Sequence, residues 1–142
     1  MASLKVERLN KHYPGFDLKD VTFTLETGYI MGFIGINGAG KTTTLKSILN
    51  MVRPESGRVE ILGRDPKDHE LDLRQELGVV LGDKDVYKNY RIGALTAVVS
   101  RFYRNWDQDV YDAYSRRFRL DQGKKLSELS QGMTTKYFLT LA

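Results

Sequence analysis

From Leu4 to Leu9 apolar and charged residues alternate, and Val21, Phe23 and Leu25 alternate with polar neighbours. A period of two turns one face of each segment towards a core, so both stretches predict half-buried strands, with Asp17 and Gly28 as the breaks. Tyr29 to Gly35 differs in being a continuous apolar run, as expected of a strand buried on both faces in a mostly parallel sheet. From Lys41 to Met51 the period lengthens: Leu45, Ile48 and Leu49 recur at helical spacing, and Pro54 stops the helix. Gly57 to Leu62 predicts a further strand, Glu70 to Gln75 a charged helical segment, and Leu77 to Leu81 a short buried strand. Beyond these, Ile92 to Tyr103 and Asp107 to Phe118 have helical periodicity, with Asp107 placed to cap the second of them. Met133, Tyr137, Phe138 and Leu141 share one face of a terminal helix. The chain thus predicts an α/β fold, with a strand-rich core over about residues 1–85 and a helical subdomain over about residues 86–142.

Composition narrows the classes of function. The 142 residues suffice for one domain with a real core, and 41% hydrophobic with 28% charged residues is an ordinary globular balance. The absence of cysteine removes disulfides, thiolate metal sites and cysteine nucleophiles, and fits a reducing compartment. The start, MASLKVERLN, has no apolar core of a signal peptide, and the longest nearly apolar run, Tyr29 to Ile36, is far short of a membrane span. Net charge is +4, with the basic residues spread along the chain apart from Arg116, Arg117 and Arg119, so no nucleic-acid partner is expected.

The chemistry begins at GINGAGKTTT. Gly35, Gly40, Lys41 and Thr42 fit the phosphate loop G-x-x-x-x-G-K-[ST], set between a predicted strand and a predicted helix. Gly35, Asn37, Gly38, Ala39, Gly40, Lys41, Thr42 and Thr43 would offer backbone N–H groups to a polyphosphate, and the helix N-terminus adds its positive end. Lys41 would reach the β and γ phosphates, and the Thr42 hydroxyl would ligate Mg²⁺. No G-x-G-x-x-G occurs at this turn, which argues against a dinucleotide, and no N-K-x-D pattern follows to read guanine. Adenine is favoured. Tyr13, just after the first strand, is either an aromatic platform for a purine or a filler of core or surface.

Tyr13, GINGAGKTT and LSELSQGM together resemble the ATP-binding subunit of ABC transporters, over the whole chain. The resemblance implies a P-loop ATPase core with N-terminal antiparallel strands, 1–142 being one domain of this type that lacks the family's C-terminal part. It also implies ATP and Mg²⁺ as ligands, an aromatic at Tyr13 stacked on adenine, and a signature motif LSGGQ opening a helix. Leu129, Ser130 and Gly132 match that signature, whereas Gln131 and Met133 depart from it. By chemistry alone, Ser130 before Gly132 at a helix start is either a second anion site or an ordinary cap. In the family that site, here Ser130, Gln131 and Gly132, is supplied across a homodimer or heterodimer of ATP-binding subunits.

Other departures concern catalysis. The family's glutamine loop aligns with Gly82 in VVLGDKDVY, and the neighbouring Asp83 is either a hard oxygen ligand approaching Mg²⁺ or a solvated turn residue. His12 and His69 both precede the place of the family's switch histidine, and the Walker B strand cannot be placed before Ala142. The segment NYRIGALTAVVSRFYRNWD looks like the subset of these subunits that serve small export or resistance systems. The expectation is an ATPase subunit that couples hydrolysis to transport, working with a membrane-spanning subunit, cytoplasmic and peripheral on the inner face of the membrane. The 142-residue chain alone is expected to bind ATP without cleaving it. The rival expectation is a soluble ATP-binding module or sensor of the same superfamily that takes no part in transport.

Overall fold

The computed structural model describes residues 1–80 and 87–142. They fall into two compact units, Met1–Leu73 and Arg74–Ala142.

The first unit is built on a three-stranded antiparallel sheet of order β2-β1-β3, with β1 at Ala2–Tyr13, β2 at Phe16–Glu26 and β3 at Ser56–Ile61. The alternation of Leu4–Leu9 and Val21–Leu25 does produce strands, but the break between them is tighter than Asp17 suggests. Pro14 and Gly15 form the turn, Gly15 at φ 84°, and Asp17 lies inside β2 opposite His12. Val6, Leu9, Leu18, Val59 and Ile61 point into the core, joined by Ile48 from helix α1, Lys41–Ile48. Helix α2, Glu70–Glu76, spans the boundary between the units and buries Leu73.

The apolar run Tyr29 to Gly35 is a correction to the sequence reading: it forms no strand, and Ile30 and Ile34 are 101% and 99% exposed. Burial on two faces requires neighbours on both edges, and among the described residues none pairs with this run. Its contacts with β2 are the Tyr29 N–H donating to Glu26 O at 3.2 Å and the Phe33 ring meeting that of Phe23 edge-on at 5.1 Å between centroids. The predicted strand at Leu77 to Leu81 is likewise not formed over residues 77–80, where Val79 and Val80 are exposed; Leu81 lies outside the described residues.

The second unit is helical: α3 at Ile92–Val99, continued by a 3₁₀ turn at Ser100–Phe102, α4 at Gln108–Arg117 and α5 at Gln131–Leu141. Asp107 caps α4 as its position predicts, its carboxylate accepting from the Val110 N–H at 3.0 Å. Ile92, Leu95, Leu120, Leu126, Leu129 and Tyr137 make the core of this unit. A chain of hydroxyls runs through it: Thr96 Oγ1 lies 2.8 Å from Tyr111 OH and 3.2 Å from Tyr137 OH. Tyr137 OH in turn donates to Ile92 O at 3.2 Å, and Tyr111 OH to Gln122 Oε1 at 3.0 Å. Satisfying these groups lets two tyrosines sit in an apolar core without orphaned oxygens. Burial pushes the Tyr137 phenol up to about 12, against the pull of its bond with Thr96.

Candidate functional site: a glycine loop at a helix start

The site in the first unit is made by one loop and the element it feeds. Gly38 at φ 84° and Gly40 at φ 94° hold left-handed conformations, which a side chain would strain. Gly40 also stands where no side chain fits, since a β-carbon there would come 2.7 Å from Leu18 Cδ1 and 2.8 Å from Phe16 Cζ. The loop is thereby pressed on the β1–β2 hairpin. A turn between Ala39 N–H and Ile36 O, at 3.2 Å, closes it.

Gly40 is the N-cap of α1 and supplies no side chain to the helix start. The first helical bond runs from Thr44 N–H to Gly40 O at 2.8 Å, so the N–H groups of Lys41, Thr42 and Thr43 lie ahead of the helical ladder, as in any first turn. Together with the helix dipole they form a positive concavity of the kind that holds phosphate. Lys41 Nζ folds back over the loop, donating to Gly35 O at 2.5 Å and Ile36 O at 2.7 Å. The ammonium is therefore held at the mouth of the loop by carbonyl oxygens, close to the N–H groups an anion would meet. Thr42 is exposed, and its hydroxyl is a hard oxygen of the type that Mg²⁺ takes beside phosphate oxygens. The residues present fit a polyphosphate, and Thr42 is the group that would hold its Mg²⁺.

Tyr13 lies at the end of β1, facing Phe16 across the hairpin, and Phe16 is the residue that underlies Gly40. Sequence position thus brings the tyrosine to the same end of the sheet as the loop. The residue is 36% exposed, with Lys11 Nζ over its ring at 5.3 Å from the centroid. Beside it, His12 Nδ1 and Lys19 Nζ both contact the Asp17 carboxylate, and the bond with His12, followed by that with Lys19, holds this carboxyl below its ordinary value.

Ser130, Gln131 and Gly132 lie in the second unit. Ser130 caps α5, its hydroxyl accepting from the Met133 N–H at 3.2 Å. Gln131 and Gly132 are exposed, and a β-carbon at Gly132 would meet nothing within 4 Å, so that helix start is open. Gly82 and Asp83 lie outside the described residues. Two contributors to the loop were not singled out in the sequence, Phe16 and Leu18. The Pro-Gly turn at 14–15 was the available signal, because it sets which residues of β2 return beneath the loop.

A glycine loop leading into a capless helix, packed on an antiparallel hairpin and followed in sequence by a helical unit, defines a P-loop nucleotide-binding protein of α/β class. Residues 18–142 match the family described as ABC transporter. The chain belongs to that family, among its ATP-binding subunits. It is 30% identical over 140 residues to the ABC transporter ATP-binding protein YtrB of Bacillus subtilis, covering 98% of this chain and 48% of that protein. With the Nod factor export ATP-binding protein I of Ralstonia nicotianae it shares 31% identity over 101 residues, 70% of this chain and 32% of the relative. Among solved structures, an ATP-binding subunit of an ABC transporter superposes with a TM-score of 0.83 at 27% identity, over 98% of this chain and 60% of that one. The fold is shared too with cbiO1 of Clostridium perfringens, part of the transporter complex cbiONQ, at a TM-score of 0.75 and 22% identity over 99% of this chain and 60% of that one. The chain therefore spans about half the length of the first curated relative it matches, 48%. Among the described residues no helix is long and apolar enough to cross a membrane.

Proposed function

We propose that this chain binds ATP at the Gly35–Thr43 loop, as the nucleotide-holding part of an ABC transporter subunit that couples ATP hydrolysis to transport. The observation that carries the reading is Lys41, folded over a loop whose Gly38 and Gly40 conformations expose the N–H groups of a helix start. Gly35, Asn37, Gly38, Ala39 and Gly40 shape the cradle, while Lys41, Thr42 and Thr43 meet the β and γ phosphates. Tyr13 stacks on the adenine. Mg²⁺, when bound through Thr42, offsets the charge gathered on the phosphates.

The complete subunit acts with a membrane-spanning partner, on the cytoplasmic face of the membrane, as a homodimer or heterodimer of ATP-binding subunits. The α5 start at Ser130, Gln131 and Gly132 serves as the second anion contact, its open N-terminal turn supporting that role. Asp83 is proposed as an Mg²⁺ contact in place of the family's glutamine, on the chemistry of its carboxylate. The domain division into a core over about 1–85 and a helical part over about 86–142 belongs to the same proposal. The 142-residue chain by itself binds nucleotide without steady turnover, because the loop supplies charge and Thr42 supplies one oxygen but neither is a base for the attacking water.

The test is a fluorescent-ATP titration of the chain and of Lys41→Ala. Loss of a charge-assisted phosphate contact weakens binding about tenfold or more. Equal affinities for parent and variant contradict the assignment of the loop.

A further inference from the structure

Glu55, in the connection between α1 and β3, is bonded to three successive residues just ahead of Tyr13. Its own N–H donates to Asn10 O at 2.9 Å, its Oε2 accepts from the His12 N–H at 3.2 Å, and its Oε1 lies 3.5 Å from Lys11 Nζ. Lys11 is the residue whose ammonium stands over the Tyr13 ring at 5.3 Å from the centroid. Its side chain is 20% exposed, so the carboxylate and the ring hold a long flexible chain in one place. At the same hairpin end His12 and Lys19 both contact the Asp17 carboxylate.

This arrangement makes the two faces of Tyr13 unequal. One carries a cation, which uses the ring's negative face and draws electron density towards itself. A purine stacked on the opposite face would suffer less repulsion between π clouds. Resting on the reading of Tyr13 as the adenine platform, we infer that Glu55 is a positioning residue for the base. It keeps Lys11 on one face of Tyr13 and fixes the strand end, so that the ring presents its opposite face to the purine.

The inference separates base from phosphate, and so does its test. The 142-residue chain, Glu55→Ala, Glu55→Gln and Tyr13→Ala are each titrated with ATP and with inorganic triphosphate. Glu55→Ala weakens ATP binding about threefold, the scale of an exposed ion pair and a cation–ring contact, and leaves triphosphate affinity unchanged. Glu55→Gln keeps an oxygen for the His12 N–H but no charge for Lys11, and falls between parent and Glu55→Ala. Tyr13→Ala that weakens ATP alone, beside a Glu55→Ala with parental ATP affinity, overturns the inference and leaves the stacking reading standing. Tyr13→Ala with parental ATP affinity removes the stacking reading and the inference with it. Equal loss of ATP and triphosphate in Glu55→Ala also overturns it, because Glu55 would then support the fold as a whole.

Discussion

Replacing Gly40 by alanine tests the link between the hairpin and the loop. Two costs add. At φ 94° an alanine is in left-handed backbone, a strain of about 1–2 kcal/mol. Its β-carbon would also stand 2.7 Å from Leu18 Cδ1 and 2.8 Å from Phe16 Cζ. Leu18 is 5% exposed and cannot swing into water without opening the core, so relief requires the loop or the hairpin to move, at about 1–3 kcal/mol. The sum is about 3 kcal/mol, or a fall in Tm of about 10 °C for a chain of this length. Gly28→Ala is the control: its φ is 87°, but its β-carbon would meet nothing within 4 Å, so it carries strain alone. Thermal melts followed by circular dichroism should rank Gly40→Ala well below Gly28→Ala, with ATP affinity reduced in the former because Lys41 and Thr42 follow the displaced residue. Equal melting temperatures for the two variants would refute the packing argument.

Gly57→Ala should be more damaging, at about 4 kcal/mol, because its β-carbon would meet backbone, Arg8 O at 2.4 Å and Leu9 Cα at 2.6 Å, and β1 and β3 would have to part; a urea melt with parental midpoint contradicts this. Tyr137, raised from an ordinary 10.0 to about 12, contributes stability that is fully present below pH 10 and lost as pH rises through 12, because only the unfolded chain ionises readily in that window. Denaturant melts across that range should show the loss in the parent, and Tyr137→Phe should remove this part of the pH dependence at a cost of about 1 kcal/mol near neutrality.

Local rules made much of this molecule legible. Alternation located β1 and β2, and Asp107 announced the cap of α4, because each effect acts within a few residues of its cause. Helix α1 stops at Ile48, short of the expected Met51 and well before Pro54: Asn50 turns left-handed at φ 56°, and the N–H groups of Asn50 and Met51 close on Ser47 O and Lys46 O. The glycine pattern likewise pointed to the loop, whose Gly38 and Gly40 angles are of the kind glycine permits. Tyr29 to Gly35 was misread for a physical reason: a run of apolar residues states a capacity for burial, while pairing depends on strands that another part of a chain must bring. The support beneath Gly40 and the grip of Glu55 on residues 10–12 were also invisible, since both join segments far apart in sequence.

The central claim is that nucleotide phosphates sit on the N–H groups of the loop. Backbone amide shifts recorded by NMR during an ATP·Mg²⁺ titration read that directly. The account predicts that Gly38, Gly40, Lys41, Thr42 and Thr43 move first and furthest, and that inorganic triphosphate reproduces their shifts while leaving Tyr13 unperturbed. Saturable shifts that cluster away from residues 35–43, with the loop amides unchanged, would contradict it.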